Sequence, residues 1–316
     1  MTQRRYLLDG MHPFFQLILL ASISLVFSVA FTMLGMYLVR PLFGVTAIDT
    51  LTQAAMDNPN SIAGNANEVN ALKFLQLMAS IGTFLLPPIL FGWMKFPQGD
   101  FLRLKVSTPF IFVILGILII TASAPFMDFV YSLNQAMRLP SFMSDLEQQI
   151  QKLEEQTDQF TQLFLRAPRP ADLGINLIVM AIVPAIGEEL MFRGCIQQVI
   201  REWTKNSHWA VWITAAIFSF IHFQFYGFVP RFLLGALLGY LFVWSGSLWI
   251  TIIGHAFYNA AQIVLAYLQE HGYITNFDIV NSPNPWPSPV ILIATVLCVA
   301  LIYGYRLLVM KKRFIY

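Results

Sequence analysis

An all-α bundle embedded in a membrane is the fold class this sequence predicts, and three observations predict it. Of 316 residues 57% are hydrophobic and only 11% charged, against about 25% charged in a soluble domain, too few to clothe a water-facing surface. Apolar windows near the roughly 20 residues needed to cross a bilayer recur along the chain. Some links between them are as short as Ser245 to Ser247, which makes their neighbours antiparallel and packs them as a helical bundle.

The first window, Phe14 to Val39, follows Arg4 and Arg5. It is longer than a signal-peptide core and lacks a small-residue cleavage site, so it reads as a retained first span. Asn58 to Asn67, rich in Asn and small residues, reads as a loop before the windows Phe74 to Met94 and Pro109 to Leu133. Leu146, Ile150, Leu153, Thr157, Phe160 and Phe164 then recur at spacings of four and three, the stripe of an amphipathic helix outside the hydrocarbon. Ser144 with Glu147 has capping-box form at its start. The next windows are Leu173 to Ile200, His208 to Phe225, Phe228 to Trp244 and Leu248 to Leu268. A proline-alternating stretch from Asn281 to Pro289 cannot be helical and precedes the last window, Val290 to Met310. The expectation is about eight transmembrane helices plus one amphipathic helix, divided as 1–171, a core at 172–270, and 271–316.

In an eight-span arrangement Arg4, Arg5, Arg103, Lys105, Arg201, Lys205 and Lys311 to Arg313 fall on one side, so both termini are expected in the cytoplasm and the chain in the cell's inner (plasma) membrane. Arg138, Lys152, Arg166 and Arg169 face the other side in longer loops diluted by acids, where the rule weakens. A net charge of +2, without a basic run interleaved with aromatics outside Lys311 to Arg313, gives nucleic acid no support as a partner. Cys195 and Cys298 lack metal-type spacing and read as buried thiols. No internal repeat is evident, and Gly235-x-x-x-Gly239 marks close helix packing rather than dimerisation.

Chemistry concentrates at Gly187-Glu188-Glu189-Leu190-Met191-Phe192-Arg193-Gly194. Ionisable groups inside a span cost at least about 2.5 kcal/mol each, so function is the default reading there. Adjacent helical residues point about 100° apart, so Glu188 and Glu189 serve different partners. Arg193 stands four residues after Glu189, the order and spacing of an acid-base pair, which makes Glu189 an ionised structural partner. Glu188 is left without a counter-ion, and in an apolar surround becomes the candidate general base. Pro184 lies four residues earlier, where its ring disturbs a helix, and the glycines on either side allow close approach. Two later spans carry Phe218-x-x-x-His222 and His255-x-x-x-Asn259, each with its polar residue one turn from its partner. A carboxylate and two histidines could ligate zinc, yet they come singly from separate helices without His-x-x-x-His; water activation needs no metal.

Glu-Glu-x-x-x-Arg, Phe-x-x-x-His and His-x-x-x-Asn on successive spans together resemble the CPBP family of intramembrane proteases. This family, also called Abi, includes the type II CAAX prenyl endopeptidase. The resemblance covers about Leu173 to Leu268. It implies an endopeptidase in which Glu188 activates water with help from His222, while His255 and Asn259 stabilise the oxyanion. Glu189 and Arg193 would support the architecture and Phe218 would pack against the site. No cofactor is implied, although zinc stays open. The substrate would be a membrane-tethered protein or peptide, and neither its identity nor the oligomeric state is encoded visibly. Two other readings compete: a non-catalytic scaffold or bacteriocin-immunity protein that keeps the cluster for packing, and a proton-coupled carrier, which the compactness of the cluster disfavours.

Overall fold

The computed structural model describes residues 7–275 and 286–313. Among them are ten helices, and no strand occurs. Helix α1 is Pro13–Phe43, α2 is Ile48–Asp57, α3 is Ala66–Lys95, α4 is Phe110–Gln135 and α5 is Ser144–Leu165. Helix α6 is Pro170–Thr204, α7 is Ser207–Phe220, α8 is Phe228–Ser245, α9 is Leu248–Glu270 and α10 is Ser288–Arg313. Arg4, Arg5 and the prolines at 283 and 285 lie outside the described residues.

Seven of the ten helices are long and apolar enough to cross a membrane: α1, α3, α4, α6, α8, α9 and α10. The expected eighth span is corrected. Helix α7 stops at Phe220 rather than Phe225, and its 14 residues reach about 21 Å at 1.5 Å per residue, short of the roughly 30 Å of bilayer hydrocarbon. The apolar run that continues to Phe225 is a turn: Phe223 takes φ 51°, a left-handed conformation unfavourable for a bulky residue. Hydropathy alone could not see that ending, because Ile221, Phe223 and Phe225 are as apolar as the helix before them.

The other boundaries shift for local reasons. Gly44, with φ 73°, closes α1 by donating its N–H to Arg40 O at 2.9 Å. Asn65 caps α3, its side chain accepting from the amides of Asn67 and Glu68, so the expected loop ends at Asn65 and a short helix, α2, precedes it. At α5 the capping box does not form. A 3₁₀ turn at Ser141–Met143 leads directly into the helix, Ser144 is already helical, and Glu147 instead faces Arg138. The α5 stripe is also only half used: Leu163 and Phe164 bury against Val39, Leu51 and Leu72, while Leu146 and Leu153 are exposed and Glu154 is buried.

Three wide π turns interrupt the long helices, at Ile81–Leu85 in α3 and at Leu177–Ile182 and Leu190–Ile196 in α6. The first two stand just before Pro87 and Pro184, whose rings remove an amide and push aside the carbonyl four residues back. They also bring α1, α3 and α6 together. A Cβ added to Gly82 would lie 2.6 Å from Phe27 O and 2.7 Å from Phe31 Cβ on α1. Gly82→Ala is therefore expected to force α1 away and destabilise the bundle by about 1–3 kcal/mol, read as a lowered unfolding temperature in detergent. An unchanged temperature would show that α1 is free to shift.

Two apolar clusters organise the bundle. Phe91 of α3, Leu190 and Phe192 of α6, Phe218 of α7, Phe242 of α8 and Ile252 of α9 form one, around the middle of α6. Ile119 and Ile120 of α4, Leu238 of α8, Ile250 of α9 and Tyr305 of α10 form the other, behind α9. Of the predicted site residues, Phe218 lies in the first.

Candidate active site

Helix α6 carries the two acids in consecutive positions, and the helix twist separates their surroundings. The Glu189 side chain is fully buried, with Oε1 accepting from Arg193 Nη1 at 2.6 Å. Arg193 is buried as well; its Nη2 donates to Gly235 O at 2.9 Å and its guanidinium lies over the Phe218 ring, 4.9 Å from the centroid. Gly235 allows this approach because a Cβ there would meet Phe218 at 3.2 Å. One turn on, Gly239 plays the same part, accepting from Gln197 Nε2 at 3.1 Å. The glycine pair thus offers bare carbonyls to α6 within one chain.

Helix α9 places His255 against both acids. Its Nδ1 lies 2.9 Å from Glu189 Oε1, and its Nε2 lies 3.9 Å from Glu188 Oε2, too far for a hydrogen bond. An ionised carboxylate can only accept, so Nδ1 carries the proton and Nε2 is turned toward Glu188. Glu189 is therefore more than a partner for Arg193: it also fixes the ring of His255, a link that spacing on separate helices could not reveal. Glu188 keeps 16% of its side chain exposed against none for Glu189, which makes it the acid that water can reach.

The ending of α7 decides the place of His222. The carbonyl of Phe218 belongs to the last helical turn, where carbonyls lack an intrahelical partner. His222 Nδ1 donates to it at 2.7 Å, leaving Nε2 with a free lone pair. Phe218 sits edge-on between the two imidazoles, with centroids 5.1 Å from His222 and 6.1 Å from His255, and meets Phe192 at 5.0 Å. Glu188, Glu189, Arg193, Phe218, His222 and His255 thus form one connected cluster. Asn259 is half-buried one turn beyond His255 on α9, and no hydrogen bond joins it to the other six among the described residues.

Residues 221–227 are non-helical backbone between two apolar helices, so their buried polar groups need partners from elsewhere in the fold. Partners come from α4 and α5. Asn134 Nδ2 donates to Phe225 O and Tyr226 O at 2.9 and 2.6 Å, and Glu154 Oε1 accepts from the Tyr226 amide at 3.0 Å. Burial pushes the Glu154 carboxyl above the usual carboxylate range, and the Tyr226 amide pulls it back. Sequence reasoning missed Asn134 and Glu154, because one lies near the end of a span and the other on what reads as the polar face of α5. It also missed Arg231, a cation in the first turn of α8, although a charge inside an apolar window was the signal.

The donor set does not converge on a metal cage. His255 Nδ1 and Glu189 Oε1 are spent on each other, a cation stands beside them, and no group of three or more His, Cys, Asp or Glu suited to a metal occurs among the described residues.

Residues 170–261 match the family model described as type II CAAX prenyl endopeptidase Rce1-like. That stretch is similar to this family. It contains all seven residues named above together with Arg231. Over 89 residues, 27% of this chain, the sequence is 26% identical to a protein of Bacillus subtilis (strain 168) described as uncharacterized protein YpbD. The match spans 42% of that relative's length. No solved structure matches the chain. The matched stretch runs from α6 to the middle of α9, and α1 to α5 and α10 lie outside it.

Proposed function

We propose that this integral membrane protein is an endopeptidase that hydrolyses a peptide bond of a membrane-tethered protein or peptide by water activated at Glu188. The observation that carries the reading is the division of labour between the adjacent acids: Glu189 is locked between Arg193 and His255, and Glu188 alone is reachable and uncommitted. The Rce1-like match over the same residues supports it.

In the proposed reaction Glu188 takes one proton from a water molecule as the water oxygen bonds to the carbonyl carbon. His222 Nε2, an acceptor because Nδ1 is spent on Phe218 O, orients that water. The carbonyl electron pair moves onto oxygen, and the oxyanion accepts from the Asn259 amide and from His255 Nε2 when the ring holds a second proton. Collapse breaks the C–N bond, and Glu188 returns its proton to the departing amine. Both termini lie in the cytoplasm in this proposal, with the basic loop residues Arg103, Lys105, Arg201 and Lys205 on that side.

The test uses the full chain in liposomes with a mixed-sequence library of lipid-anchored, quenched-fluorescent peptides. Hydrolysis is expected, and Asn259→Ala is expected to lower kcat by about 10²- to 10³-fold, the loss that follows removal of one oxyanion donor. Full turnover by Asn259→Ala would remove the amide from the mechanism, and an inert wild-type chain would favour the scaffold reading.

A further inference from the structure

Arg231 lies in the first turn of α8, against the loop that carries His222. Its Nη2 donates to Gln224 Oε1 at 2.6 Å, a neutral acceptor, while Nη1 is buried without a hydrogen-bond partner among the described residues. No ion pair joins it to any described carboxylate. The acids whose charge it feels most are Glu154 and Glu188. Glu154 has given Oε1 to the Tyr226 amide, and Glu188 faces His255.

Placement makes this unspent donor more telling. The first turn of a helix is its positive end, where a cation is disfavoured, and α8 has no acid there to offset it. Gly227 makes room for the group: a Cβ there would lie 2.9 Å from Nη2, so the bare backbone lets the guanidinium rest on the loop without shifting. A guanidinium retained under these conditions has a fork shaped for a carboxylate and no such partner among the described residues.

We infer that Arg231 anchors a carboxylate of the substrate, carried by an acidic side chain or by a chain terminus near the bond presented to Glu188. This inference rests on the hydrolytic reading. Arg231 makes no bond to the reacting atoms; it selects and positions.

The test compares lipid-anchored, quenched-fluorescent library peptides in matched pairs, Glu against Gln within the sequence and free acid against amide at the terminus. Binding is read by fluorescence anisotropy on the Glu188→Gln chain, and KM and kcat on the wild type. One of the two carboxylate forms is expected to bind about 10- to 100-fold more tightly than its neutral match and to lower KM to a similar extent, the range for a charge-assisted hydrogen bond. The pair that discriminates names the source. Arg231→Gln is expected to bring the acid-to-neutral ratio to about one, and Arg231→Lys to leave part of it.

Equal or absent binding of acid and neutral forms overturns the inference, as does a ratio that survives Arg231→Gln. Should Arg231→Gln fail to fold, the wild-type ratio alone decides. If acid forms bind preferentially and the wild type cuts none of them, the anchor stands and the hydrolytic reading falls.

Discussion

Glu188→Gln is expected to abolish peptide hydrolysis, lowering kcat by about 10²- to 10⁴-fold, the usual contribution of a positioned general base. The amide matches the carboxylate in volume and keeps a hydrogen-bonding head, so the change removes basicity and little else. Glu188 has no short ion pair to lose: its nearest basic atom is His255 Nε2 at 3.9 Å. Folding should therefore survive, with an unfolding temperature in detergent close to that of the wild type. Initial rates on the lipid-anchored peptide library, measured beside that temperature, check both halves. A variant that folds and still turns over would take the base away from Glu188 and return the cluster to a structural role.

Arg193→Met is expected to have the opposite profile and lose the fold. The change strips the Glu189 carboxylate of a 2.6 Å partner in a fully buried position and leaves Gly235 O without its donor. Removing one member of a buried ion pair typically costs about 3–5 kcal/mol, a large share of the roughly 5–15 kcal/mol that holds a domain folded. Expression of monodisperse protein and thermal unfolding followed by tryptophan fluorescence report the loss. The double variant Glu189→Gln with Arg193→Met removes the stranded charge and is expected to recover part of the stability, which is the signature of coupling. If Arg193→Met melts with the wild type, neither the ion pair within α6 nor the Arg193–Gly235 hydrogen bond to α8 holds the fold.

Much of this arrangement is legible in the residue order because apolar length and one-turn spacing are local signals. The windows of α1, α4, α6, α8, α9 and α10 stand within a few residues of the observed helices, that of α3 starts eight residues late, and Glu189 with Arg193 follows from four-residue spacing on one helix. What escaped is decided between elements. His255 reaches Glu189 across 66 positions, and Glu154 reaches the Tyr226 amide across 72. Spacing carries no trace of either. The end of α7 escaped for another reason: its turn is built from Ile221, Phe223 and Phe225, residues that normally extend a membrane helix, and contacts with the distant Asn134 and Glu154 help to stabilise the turn.

The brevity of α7 has a consequence for the surrounding lipid. Trp209, Trp212 and Phe220 point outward along a wall of about 21 Å, while α1 and α6 offer apolar lengths well above the roughly 30 Å of acyl chain around them. Such a mismatch is relieved by thinning the leaflets on one flank only, at fractions of a kcal/mol per ångström. A bilayer that followed these lengths would be thinnest along α7, the helix that leads to His222. In the proposed reaction a tethered segment arriving on that flank would cross the least hydrocarbon before it meets Glu188.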